Sequence, residues 1–295
     1  MSDPNFRFFY DGIDFSLPTQ YGELVGCKWI PENEKPKFIL IYIHDSGVFL
    51  TINHDIFDEI LVKNGAVYGC DHFGHGRSPG ERLACTIEHV IDEISGLIKL
   101  ASNDFPSVPI FLMGKTFGAL AIMRAVILFS KDTLDIVSGV ILETPWITRW
   151  SFKNIGIFDT MKIQIMNKLF PNHIYDHGAE YLTSEAIQLY AEKCEQCSLY
   201  IPHMTPTLYL SAMETITSAR YNIEYWPSNL PTLFLIANRD QILDSEDIKN
   251  VLNEYMIQPF TIKTYDSPNE LTKTHQRHVV MSDILSFIIG NLSNE

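Results

Sequence analysis

Asp71-His72-Phe73-Gly74-His75-Gly76-Arg77-Ser78-Pro79-Gly80-Glu81-Arg82 follows directly on the apolar run from Ala66 to Asp71. Three glycines and a proline in twelve residues let a chain leaving a strand reverse sharply, and the polar side chains between them can tie the turn down. Many α/β proteins carry a turn of this kind, so its surroundings decide the fold. Lys37 to His44, Pro109 to Met113, Val137 to Glu143, Thr232 to Ile236 and Phe260 to Tyr265 are further short, nearly continuous apolar runs, as in parallel strands buried on both faces. Between them Ile56, Phe57, Ile60 and Leu61 recur at helical spacing. So do Ile87, Val90, Ile91, Ile94, Leu97 and Ile98, and the segments Thr116 to Ser130 and Val279 to Ile289 read the same way. This alternation predicts a doubly wound, mostly parallel sheet with right-handed crossovers, and Glu23 to Ile30 is expected as an antiparallel edge strand.

The alternation stops between Trp146 and Tyr225, a stretch of helical character rich in Met, Ile and Tyr. It resumes at Leu230-Pro231. An insertion between core strands, on the side where open sheets place their sites, reads as a cap. The expected division is therefore a core of residues 1–145 and 227–295 with a helical cap, or lid, at 146–226. A length of 295 residues suits one domain with such an insertion.

Lys and Arg number 22 against 36 Asp and Glu, a formal net charge of −14. That balance repels phosphate backbones, so no nucleic-acid partner is expected, while neutral lipids bound through apolar area stay open. Met1 to Tyr10 lacks a cationic segment followed by an apolar one. Ala119 to Phe129, broken by Arg124, is too short to span a bilayer. Five cysteines suit reduced thiols in a cytosolic chain. Cys194 and Cys197 form a CxxC with no second pair, and read as two thiols one helical turn apart; no metal is expected.

Four segments then carry a resemblance. The Asp71–Arg82 segment is similar to the DxxGHGxSxGxR stretch of monoglyceride lipases and lysophospholipases, matching at Asp71, Gly74, His75, Gly76, Ser78, Gly80 and Arg82. Gly114-Lys115-Thr116-Phe117-Gly118 follows a strand and opens a helix, where α/β-hydrolases carry the G-x-S-x-G nucleophile elbow. His44-Asp45-Ser46-Gly47 resembles the loop that donates one oxyanion-hole amide, and Ala237 to Asp244 resembles the GxxDxxxD segment bearing the triad acid. The resemblance implies an α/β-hydrolase fold, an esterase ancestry, no cofactor and an acyl-sized pocket for a neutral lipid or fatty-acyl ligand. It leaves open peripheral membrane contact through the cap.

Carried over residue by residue, the resemblance places Thr116 at the nucleophile position, Asp240 at the acid position and the amides of Ser46 and Phe117 in the oxyanion hole. The histidine position falls on Asn269 or Glu270, and neither can replace an imidazole poised near neutral pH. A β-branched residue at an elbow that demands positive φ is strained. Asp45, where the family has glycine, sets a carboxylate beside a site built for negative charge unless it turns into a hydrogen bond. These departures imply a pseudo-hydrolase with at most vestigial activity. The alternatives are an active carboxylic-ester hydrolase in which a re-routed loop returns His275 to Thr116 and Asp240, and a partner-binding module that keeps only the fold.

Overall fold

The computed structural model describes residues 10–32, 34–148, 157–175, 197–201, 203–256 and 260–292. Their strands are β1 (Ile13–Thr19), β2 (Gly22–Trp29), β3 (Phe38–Ile43), β4 (Gly65–Cys70), β5 (Ile110–Lys115), β6 (Val137–Glu143), β7 (Thr232–Ala237) and β8 (Thr261–Tyr265). The helices are α1 (His54–Val62), α2 (Ile87–Asp104), α3 (Phe117–Leu128), α4 (Lys131–Leu134), α5 (Ile157–Leu169), α6 (Pro206–Asn222), α7 (Ser245–Tyr255) and α8 (Arg277–Gly290). The strands form one sheet in the order β1-β2-β4-β3-β5-β6-β7-β8, antiparallel at β1/β2 and β2/β4 and parallel elsewhere.

Alternate side chains of the central strands feed opposite layers, because successive Cβ atoms leave a strand on opposite faces. Ile39, Ile41, Ile110 and Leu112 pack with α2, α3 and α6. Leu40, Tyr42, Phe111 and Met113 pack with α1 and α8. The runs of β3, β4 and β5 are buried throughout, as two-sided cover requires.

One sequence expectation is corrected. Glu23 to Ile30 is not the edge: β1 pairs outside β2, and β2 is held on both sides. In β1 only Leu17 is buried, so its apolar signal is too thin to read as a strand.

Between β6 and β7, α6 lies in the core layer. Leu208, Tyr209, Ala212, Ile216 and Ala219 are buried with residues of α2 and α3. Its entry is pinned where Thr205 donates to the Leu83 carbonyl at 2.7 Å and the Ile87 amide donates to Ser211 at 2.9 Å. Parts of the 146–226 insertion, Cys194 of the CxxC pair and the first nine residues lie outside the described residues. Cys27, Cys70 and Cys85 are buried and Cys197 is half-buried.

The Asp71–Arg82 turn stands on a single carboxylate. Asp71 accepts the amides of Leu50 at 2.8 Å and Arg77 at 2.9 Å, and the Tyr10 hydroxyl reaches both its oxygens. Ser78 donates to the Asp71 carbonyl and accepts the Val25 amide, which binds the turn to β2. Asp71 thus joins three stretches of chain at the carboxyl end of the sheet. Each buried donor left unmade costs about 1–3 kcal/mol. Asp71→Ala is expected to lower unfolding free energy by roughly 2–5 kcal/mol in urea at unchanged slope. A loss below about 1 kcal/mol would show that the turn holds without it.

Candidate active site

Thr116 ends β5 and caps α3 with φ 44° and ψ −97°. A β-branched residue in this region stores on the order of 1–3 kcal/mol, so its surroundings must hold it there. They do so on both sides. The Thr116 amide donates to the Glu143 carbonyl at 2.9 Å, and its carbonyl accepts the amides of Leu120 at 3.0 Å and Trp146 at 3.2 Å. The flanking glycines permit the close approach. A Cβ on Gly118 would sit 2.3 Å from the Ile43 carbonyl oxygen, and one on Gly114 2.7 Å from the Ala119 nitrogen. The Thr116 hydroxyl lies 3.3 Å from that of Thr144, itself at φ 40°.

The Ser46 and Phe117 amides do converge, as the resemblance implied, but they are taken. Both donate to Asp45 Oδ1, at 2.7 Å and 3.1 Å. The chain's own carboxylate occupies the point on which the two N–H groups converge. Burial pushes the Asp45 carboxyl up to about 6 against the pull of Lys115 and the Phe117 and Ser46 amides, which favour its charged form.

Asp240, in the β7–α7 loop, accepts the amides of Ile242 at 2.8 Å and Leu243 at 3.0 Å on Oδ1. Its Oδ2 is buried without a hydrogen-bond partner among the described residues, and burial raises this carboxyl to about 6. The two candidates for the histidine position separate. Asn269 lines the cavity above Thr116, with Asp45, Ser46, Trp146, Met204, Ile242 and Leu243. Glu270 instead forms an ion pair with Lys115. His275 is exposed in the turn before α8. Among the described residues no histidine nitrogen hydrogen-bonds either Thr116 or Asp240.

Three buried histidines stand near the turn, and the hydrogen bonds their ring nitrogens make go elsewhere, with His75 Nε2 buried and unpaired among the described residues. His44 Nδ1 bonds the Asp45 carbonyl at 2.6 Å and its Nε2 accepts the His72 amide at 3.0 Å. Its pKa is driven well down, first by burial and then by His72 and His75. His72 bonds Glu93 at 2.7 Å through Nδ1 and the His44 carbonyl at 2.9 Å through Nε2, and its ring stacks on His44 at 3.6 Å. His75 bonds the Phe73 carbonyl at 3.0 Å. This cluster ties the end of β3 to the turn after β4.

Behind the elbow lies a charged group that the sequence reading did not single out. Lys115 and Glu143 are register partners at the ends of β5 and β6, and both are buried. Burial works against the Lys115 ammonium, but Glu270, Glu143 and Asp45 outweigh it and hold its pKa above the ordinary value. A lysine kept protonated has no lone pair to offer the Thr116 hydroxyl. Neither Glu143 oxygen has a hydrogen-bond partner among the described residues, and burial lifts this carboxyl to about 7 despite Lys115. The signal was present as a charge at the end of each of two apolar runs. Among the described residues no group of three or more His, Cys, Asp or Glu is arranged to hold a metal ion, and no helix is long and apolar enough to cross a membrane.

Glu143 makes stability depend on pH in a direction opposite to that of a salt-bridged acid. Its folded pKa of about 7 lies above the ordinary 4.5. Between those values the folded chain keeps a proton that the unfolded chain releases, so stability falls as pH rises and the loss is complete above about pH 7. Glu143→Gln is therefore expected to gain on the order of 3 kcal/mol over wild type near pH 8 in urea unfolding, with the gain gone by about pH 4. An equal gain at both pH values would contradict this origin.

A family model described as "Serine aminopeptidase, S33" matches residues 34–268. The monoglyceride lipase of Mus musculus is 23% identical over 252 residues, covering 83% of this chain and 79% of that protein. A monoglyceride lipase homolog of Monkeypox virus is 25% identical over 160 residues, 54% of each chain. Among solved structures, a soluble variant of Saccharomyces cerevisiae monoglyceride lipase in complex with a substrate analog superposes with a TM-score of 0.84 over 100% of both chains at 15% identity.

Proposed function

We propose that this chain, which belongs to the serine aminopeptidase S33 family and has a monoglyceride-lipase-like α/β-hydrolase fold, is a non-catalytic lipid-binding member of that family. The observation that carries the reading is the hydrogen bonding of Asp45 Oδ1 to the amides of both Ser46 and Phe117. Acyl transfer needs those donors free when charge develops on the acyl oxygen, and one such donor is worth about 10²–10³ in turnover. An ionised carboxylate in the same place opposes the transition state as well as blocking it.

The remaining parts point the same way. Thr116 has a hydroxyl but no described base: Lys115 is held protonated, Asn269 stands beside the cavity, and His275 is exposed. Asp240 keeps a place for a carboxylate whose histidine partner is gone, which accounts for its buried and unpaired Oδ2. Loss of a triad base typically costs about 10⁴–10⁶ in kcat, roughly 5.5–8 kcal/mol of barrier. An active hydrolase built on Thr116, Asp240 and His275 would require the segment before α8 to refold.

In this reading residues 146–226 form the cap, with α6 as its anchor on the core, and the cap and core enclose an acyl-sized pocket for a neutral lipid or fatty-acyl ligand. The relatives named monoglyceride lipase support that ligand class. The exposed side chains of Met161, Ile165 and Leu169, four residues apart on α5, and of Phe170 beyond it support contact of the cap with a membrane surface.

Purified protein is expected to leave monoacylglycerol intact, to give the same background with Thr116→Ala, and to remain unlabelled by a fluorophosphonate. A non-hydrolysable monoacyl ether should raise its melting temperature, since a ligand at a hundredfold excess over Kd adds about 2.7 kcal/mol. Turnover abolished by both Thr116→Ala and His275→Ala would replace this reading with the active hydrolase. A melting temperature indifferent to every lipid tried would leave a module that keeps only the fold.

A further inference from the structure

The carboxylate that closes the donor pair also changes what the cavity beside it can bind. Its lining combines Asp45, Thr116 and Asn269 with the apolar walls of Trp146, Met204, Ile242 and Leu243. The space amounts to about 10 Å³, the room of a single water-sized group. Among the described residues both hydrogen bonds to the Asp45 carboxylate end on Oδ1, so Oδ2 keeps its acceptor capacity. Asn269 is buried to 8% exposure and stands in the cavity wall.

We propose that this cavity is a head-group site of inverted polarity: it takes a hydroxyl of an alcohol-ended lipid, donating to Asp45, and turns away a carboxylate. Two amides alone would present a pair of donors, fit for a carbonyl or carboxylate oxygen. With Asp45 on them, the same place presents an anion. A hydroxyl fits by size, donates to the carboxylate and can accept from Asn269. A fatty acid of the same chain length would set two like charges together, a juxtaposition that costs several kcal/mol. The proposal rests on the lipid-binding reading above and specifies the chemistry of the ligand's polar end.

The test compares two amphiphiles of one chain length, dodecyl glyceryl ether and dodecanoate, each below its micellar concentration. Binding is read by titration calorimetry with the wild-type chain, Asp45→Gly and Asp45→Asn. Wild type is expected to prefer the ether roughly tenfold or more. Asp45→Gly frees the Ser46 and Phe117 amides and should shift that ratio toward dodecanoate by at least about tenfold. Asp45→Asn, which keeps an oxygen on the amides and removes the charge, should narrow the ratio even if the glycine variant does not fold. Dodecanoate binding to wild type as tightly as the ether overturns the inverted site while the lipid-binding reading stands. If neither amphiphile binds any folded variant, the lipid pocket itself is absent and the head-group site falls with it.

Discussion

The contact between Asp45 Oδ1 and the amides of Ser46 and Phe117 is the constraint around which the carboxyl end of the sheet is organised. It joins the end of β3 to the first turn of α3, where unpaired amides and the helix dipole favour an anion. In a hydrolase that place is kept open for a transient charge, at the expense of leaving donors unsatisfied in the resting protein. Here the Asp45 carboxyl group accepts both. The same contact leaves neither amide free for another acceptor, so in the proposed reading local stability and catalytic competence pull in opposite directions at one residue.

The charge carries a cost behind the elbow. Asp45, Glu143 and Glu270 all act on the single buried ammonium of Lys115, which cannot neutralise three carboxylates at once. Burial resolves the excess by raising Asp45 to about 6 and Glu143 to about 7. Glu270, closest to Lys115 and partly exposed, takes the ion pair, while Glu143 sits with both oxygens unpaired among the described residues. Glu270, one of the two candidates for the histidine position, thus serves the charge balance of the core. Asn269, its neighbour, is left facing the cavity.

Thr116 holds a strained backbone at the position where the family resemblance places a nucleophile. A φ of 44° on a threonine is retained because it is fixed from outside. Glu143, Leu120 and Trp146 hold its peptide groups, and Gly114 and Gly118 leave no slack between strand and helix. The His44, His72 and His75 cluster is a second such framework, its hydrogen bonds going to backbone groups and Glu93 while His75 Nε2 stays unpaired among the described residues. Imidazoles are plentiful near this site, but hydrogen bonding fixes them in the scaffold.

Chain order and apolar patterning were enough to foretell the parallel core. Runs such as Phe38–Ile43 and Ile110–Met113 cannot be covered on both faces except by crossover helices. It was the family resemblance, carried by glycine spacing and residue type in the strand-end loops, that pointed to Thr116, Asp240 and the Ser46 and Phe117 amides. The apolar patterning missed β1, whose side chains are mostly exposed, and it placed the sheet edge one strand too far in. Only the folded chain could decide which way Asp45 turns, that Asn269 faces the cavity while Glu270 pairs with Lys115, and that Lys115 and Glu143 meet. Those choices join residues tens to more than a hundred positions apart in sequence. They are settled by burial, which forces each charge to find a partner or hold a proton, and periodicity along one chain does not record that requirement.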